Sequence, residues 1–121
     1  MKVGLDSYTV GCFQFSARQV IDYAKEHGCE GVQFGTPWEL SPTLDEGEIA
    51  AVCDYAHEKD MTLEVGIPSV NPHRPNPRVR ELGGGEDVEG FARLLHLCTR
   101  VGAPGVRTYI GFQTERYDPH V

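Results

Sequence analysis

The chain has little basic charge to spare: 11 Lys and Arg stand against 18 Asp and Glu, giving a formal charge of -7 and a pI near 5.1. The basic residues are scattered along the chain, so no stripe could neutralise a phosphate backbone, and nucleic acid is not an expected partner. Long apolar runs are also missing. Nothing approaches the roughly 20 residues that span a bilayer, so no membrane association is expected. Cysteine is sparse and dispersed, at positions 12, 29, 53 and 98, without a CxxC pair or a histidine at zinc-finger spacing. Cys53 and Cys98 fall on apolar helix faces and read as small buried hydrophobes of a reducing, cytoplasmic compartment. Glycine-rich phosphate loops are lacking too, since the first strand runs into Ser7-Tyr8-Thr9-Val10-Gly11-Cys12 with no GxGxxG.

What is present is alternation. The apolar content of 40% over 121 residues is enough for one domain core. Val3-Gly4-Leu5-Asp6 reads as a strand, followed by a loop from Ser7 to Phe15. The spacing then predicts a helix over 16–27, with Ser16 and Gln19 as a capping box, Ala17, Val20, Ile21 and Ala24 on one face, and Gly28 as the stop. Strand two is Gly31-Val32-Gln33-Phe34, and a loop from Gly35 to Pro42 carries the single tryptophan, Trp38. A second helix is expected with Thr43 as cap and Glu46 closing the box, burying Ile49, Val52, Cys53 and Ala56. Strand three is 63–67. Four prolines then fill 68–77, a stretch expected to be irregular and long enough to be a binding loop. Helix three, about 86–101, should bury Val88, Phe91, Leu94, Leu95 and Cys98, and strand four is 106–110.

Strands separated by single helices imply parallel pairing with right-handed crossovers. A doubly wound open sheet is the alternative, disfavoured by the missing phosphate fingerprint. The expected fold class is therefore α/β, the N-terminal half of a TIM barrel: one partial domain over 1–121, with about four parallel strands and three helices of an architecture that needs about 250 residues.

Four segments together resemble the sugar phosphate isomerase/epimerase family of the xylose isomerase-like barrels. They are Met1-Lys2-Val3-Gly4-Leu5-Asp6-Ser7-Tyr8, Gly28-Cys29-Glu30-Gly31-Val32-Gln33-Phe34, Leu63-Glu64-Val65-Gly66, and Val101-Gly102-Ala103-Pro104-Gly105-Val106-Arg107 with Gly111 beyond. The resemblance implies proton transfer next to a sugar carbonyl, assisted by a divalent metal (Mn, Mg, Co or Zn). It places the principal metal ligands on later strands, outside this chain. It also implies a glutamate where Gln33 stands, and an amide there can bind a hydroxyl but cannot act as a base. An apurinic-site endonuclease on the same barrel is disfavoured, because strands three and four end at Ile67-Pro68 and Ile110-Gly111 without histidine.

Side chains of barrel strands alternate between the interior and the helix layer, and active sites gather at the strands' C-terminal ends. If the aliphatic residues face the helices, the inward set is Gly4, Asp6, Gln33, Glu64, Gly66, Arg107 and Tyr109. Such a polar wall suits a small-molecule carbohydrate. Glu64 and Arg107, on adjacent strands, are expected to pair. Asp6 either binds a hydroxyl or caps its own loop, Tyr8 can stack or donate, Trp38 either stacks on a sugar face or covers the rim, and His73 lies in the proline-rich loop. His27, His57, His96 and His120 read as surface or packing residues. Alternatively, the chain is an inactive truncated half-barrel or assembly module, self-associating through open barrel edges.

Overall fold

The computed structural model describes residues 2–103 and 105–108. Strand β1 is Gly4–Asp6, followed by a 3-10 turn over Ser7–Phe13, helix α1 (Ala17–Glu26) and strand β2 (Gly31–Phe34). A short 3-10 turn over Pro37–Glu39 precedes α2 (Glu46–Glu58) and β3 (Thr62–Gly66). Two helices, α3 (Pro77–Leu82) and α4 (Asp87–Arg100), then lead to β4 (Val106–Arg107). The strands form one sheet in the order β1-β2-β3-β4, every pair parallel. A doubly wound sheet would send a strand back to the other side of β1, and no such reversal occurs among the described strands. No described helix is long and apolar enough to cross a membrane.

The two faces of the sheet differ as strand alternation requires. Val32, Phe34, Leu63 and Val65 turn to the helices and join Val20, Ile21, Ala24, Ile49, Val52, Ala56, Leu94 and Cys98 in one buried cluster. On the other face Asp6, Gln33 and Glu64 stand side by side in register, none of them buried. That face is concave. Arg107 on β4 is registered with Gly66, two residues beyond Glu64, yet its Nη2 lies 3.4 Å from Asp6 Oδ2 on β1. In a flat sheet, three strand spacings and a two-residue offset would separate the two Cα atoms by about 16 Å. Extended Arg and Asp side chains with that gap span only about 14 Å, so the sheet curls toward its polar side. Glycine makes the curl possible: a Cβ at Gly31 would lie 2.8 Å from the Thr62 carbonyl oxygen, and one at Gly66 would lie 2.7 Å from that of Gly35.

Local chemistry sets the helix starts. Ser16 Oγ accepts the Gln19 N–H at 3.3 Å while Gln19 Oε1 accepts the Ser16 N–H at 2.8 Å, the capping box expected for α1. At α2 the expectation of a Thr43 cap fails. Leu44 adopts a left-handed φ of 58°, which delays the helix, and Asp45 becomes the cap, its Oδ1 accepting the Glu48 N–H at 2.9 Å. The fully buried Ser41 supports the turn by accepting the Asp45 N–H at 2.9 Å and donating to Glu48. On the outer surface α1 and α2 are tied at one point. The Tyr55 hydroxyl donates to Asp22 Oδ1 at 2.7 Å, Lys59 Nζ lies 3.1 Å from the same oxygen, and the Arg18 and Lys59 cations flank the Tyr55 ring.

Three further expectations are corrected. The loop from Ser7 to Phe15 contains a 3-10 turn, capped by Asp6. The proline-rich stretch is irregular only to Asn76, because Pro77 occupies the first turn of α3, where a missing N–H costs nothing. Asn76 Oδ1 caps that helix by accepting from the Arg78 and Val79 N–H groups at 3.0 and 3.4 Å. Helix α4 buries Gly90, Leu94, Leu97 and Cys98, whereas Val88 is 78% and Leu95 43% exposed. The helix is rotated because its backbone at Gly90 rests on Val79 of α3: a Cβ there would sit 1.9 Å from the Val79 carbonyl oxygen.

Candidate binding site

Of the candidate side chains, Asp6, Tyr8 and Arg107 gather at the C-terminal rim of the sheet, where strand ends and the loops that follow them meet. Asp6, ending β1, uses both carboxylate oxygens. Oδ1 accepts the Tyr8 N–H at 3.0 Å, the local capping role that its position allows, and Oδ2 faces Arg107. The pair is loose and its side chains are 35% and 41% exposed, so solvent screens most of the attraction. Its importance is geometric, since it joins the first strand to the fourth across the concave face. The expected Glu64–Arg107 pair is thereby replaced. Register explains the change: Glu64 is opposite Gln33, while Arg107 is one rung higher, above Gly66, and from there it reaches over the glycine floor to β1.

Two residues that sequence reasoning overlooked complete the rim. Glu39, at the end of the 3-10 turn after β2, accepts the Ser7 hydroxyl on Oε2 at 2.6 Å and the Gly35 N–H on Oε1 at 2.8 Å. Ser7 is buried, at 6% exposed. One carboxylate therefore fastens the loop after β1 to the loop after β2. Ser7 follows Asp6 directly and could have been suspected on that ground, but Glu39 is 32 residues away and carries no local signal.

Asp6, Ser7, Tyr8, Glu39 and Arg107, with Gly11 and Gly35, line a cleft of about 520 Å³. Lower on the same face a second hollow of about 320 Å³ includes Asp6, Gln33 and Glu64. Together they present the four carboxylates of Asp6, Glu30, Glu39 and Glu64, the Lys2 ammonium, one guanidinium, an amide and a phenol that is 92% exposed. Such a set of directed donors and acceptors around a small open volume matches the needs of a polyhydroxylated ligand.

The remaining expected residues lie elsewhere. Trp38 packs partly buried against the core beneath the Arg78 guanidinium, 4.4 Å from its ring centroid, so it braces the rim and does not line the cleft. Arg78 also donates to the Pro42 carbonyl at 3.2 Å. His73 is exposed in the 68–76 loop, where its backbone N–H donates to Asn71 Oδ1 at 2.9 Å, and it is not among the residues lining the cleft. Tyr109 lies outside the described residues. Among the described residues no three His, Cys, Asp or Glu side chains come together to hold a metal ion.

No family model matches the chain, and no curated protein or solved structure matches it either.

Proposed function

We propose that the chain is the front half of a xylose isomerase-like (β/α)8 barrel in the cytoplasm, and that its concave face forms the substrate-recognition wall of a sugar or sugar-phosphate isomerase or epimerase. The observation that carries this reading is the Asp6–Arg107 pair, which spans the curled sheet at the C-terminal rim beside a cleft of about 520 Å³. The ligand class is a small carbohydrate, not nucleic acid or a membrane surface. Asp6 and Arg107 bind hydroxyl or anionic groups at the rim, Tyr8 supplies an exposed ring and a hydroxyl, and Gln33 and Glu64 contact groups deeper on the face. Gln33 positions and does not abstract a proton. A divalent metal in such an enzyme polarises the sugar carbonyl during proton transfer. Its principal ligands belong outside this chain.

The test is an NMR titration of the 121-residue protein with aldoses, ketoses and their phosphates. Amide shifts are expected at Asp6, Ser7, Tyr8, Gly35, Glu39 and Arg107, diminished in Arg107→Gln and Tyr8→Ala. Absence of any response at millimolar sugar, or a response confined to other residues, refutes the proposal.

A second reading is favoured by the polar face, which no described helix covers, together with Val3 and Val106, which are 52% and 36% exposed at the two ends of the described sheet. In this reading the chain has no turnover of its own and is an assembly module. Both readings predict the same fold; sugar binding separates them.

A further inference from the structure

Glu39 stands on a firm base. Pro37 and Leu40, close to it on either side, are buried, and its own N–H donates to the Thr36 carbonyl at 3.1 Å, so the 3-10 turn that carries it is fixed to the core. From that base its carboxylate takes one hydrogen bond from each neighbouring loop, the Ser7 hydroxyl at 2.6 Å and the Gly35 N–H at 2.8 Å. Both lengths belong to charge-assisted bonds. Because both partners are donors, a group with two acceptor oxygens suits them together, whereas an amide would turn its NH2 toward one of them. The segment held in this way is Asp6-Ser7-Tyr8. Ser7 is buried, Asp6 half-buried and Tyr8 exposed, so the place of the phenol depends on its neighbours. The next buried anchor along the chain is Val10, at 3% exposed.

We propose that Glu39 is the positioning residue of the rim: through Ser7 it holds Asp6 and Tyr8 where they face the cleft, and it acts on a ligand only through them. The expected effect on affinity rests on the carbohydrate reading of the cleft, while the expected effect on the loop rests on geometry alone. Gly35 belongs to the same device. A Cβ there would lie 2.8 Å from Glu39 Oε1, the end of a side chain that can swing, so alanine at this position pushes the carboxylate off its donors and keeps its charge. Glu39→Gln does the reverse, removing the charge and keeping the shape. Ser7→Ala leaves the carboxylate and its Gly35 bond in place and cuts only the link to the loop after β1. Three different changes therefore converge on one consequence, release of residues 7–9 ahead of the Val10 anchor.

Nitrogen-15 relaxation of the full chain reads the loop, and titration with glucose and fructose reads affinity. In each of the three variants the order parameters of residues 7–9 should fall from about 0.85 toward 0.6 while those of α1 stay unchanged. The dissociation constant for sugar should rise about three- to tenfold, the worth of one hydrogen bond. Because Glu39→Gln and Ser7→Ala cut the same link, the double variant E39Q/S7A should bind no more weakly than the weaker single one. Tyr55→Phe is the control: it loses a 2.7 Å hydrogen bond on the outer surface and should move neither quantity. An ordered loop in Glu39→Gln overturns the proposal whatever the sugars do. A released loop with unchanged affinity also overturns it, leaving Glu39 a structural tie, and so do effects that multiply in the double variant, which would put Glu39 on the ligand itself. Should the wild-type chain bind neither sugar, the carbohydrate reading falls and the order parameters alone decide, a released loop supporting the positioning of Asp6 and Tyr8 by Glu39 and an ordered one overturning it.

Discussion

Replacing Gly90 with alanine sets helix propensity against tertiary packing. In the interior of an exposed helix the change should stabilise by about 1 kcal/mol, because alanine is the better helix former. At this position an added Cβ would lie 1.9 Å from the Val79 carbonyl oxygen and 2.7 Å from its carbonyl carbon. The neighbouring Gly83 is equally tight, with a Cβ there meeting the Glu86 carbonyl oxygen at 2.0 Å. These are main-chain atoms with no rotamer to change, so α3 has to shift as a body. Helix α3 has six residues, and its one fully buried side chain is Val79, at 0% exposed. Overpacking costs typically about 1–3 kcal/mol, and undocking Val79 forfeits about 1.5–3 kcal/mol of burial. After the propensity gain, Gly90→Ala should lower stability by about 1–2 kcal/mol. Urea unfolding followed by circular dichroism measures this, and amide exchange locates it, with protection lost first over 77–82. An increase in stability, or unchanged exchange across α3, would refute the close backbone packing of α3 on α4.

Three other outcomes follow from single groups. Asp6→Asn retains an oxygen to cap the Tyr8 N–H and loses only the screened pair with Arg107, so stability should change by less than about 0.5 kcal/mol, whereas Asp6→Ala also loses the cap and should cost about 1 kcal/mol more in the same urea assay. The Tyr55 hydroxyl and, secondarily, Lys59 hold the Asp22 carboxyl below its ordinary value of 3.8. A depressed carboxyl contributes stability above that value that is lost as pH falls through the lowered one, so acid should loosen the α1–α2 contact below about pH 3.8, and Tyr55→Phe should flatten that part of a stability–pH curve. Burial pushes the Cys98 thiol up to about 11, while Cys12 is exposed. Mass spectrometry after alkylation at neutral pH should therefore find Cys12 modified early and Cys98 only on unfolding.

Local rules were legible where the partner of a residue lies within a few positions of it. The Ser16–Gln19 capping box spans three residues and reads directly from the chain. Thr43 failed as a cap because the start of α2 depends on the buried Ser41 and on the left-handed turn at Leu44, neither of which a spacing rule records. The face of α4 was misplaced for a similar reason. Leucine periodicity allowed several phases, and contact with Val79 through a glycine chose one.

The candidate site divides along the same line. The amino-acid sequence by itself determined that strands and helices alternate, that the pairing is parallel, and that Asp6, Gln33, Glu64 and Arg107 belong to one face, because a strand's two-residue period is a property of the chain alone. Tertiary structure decided which of these groups meet. Arg107 reaches Asp6, 101 residues away, and Glu39 binds Ser7, because register and curvature bring those positions together; both are properties of the assembled sheet and of no single segment.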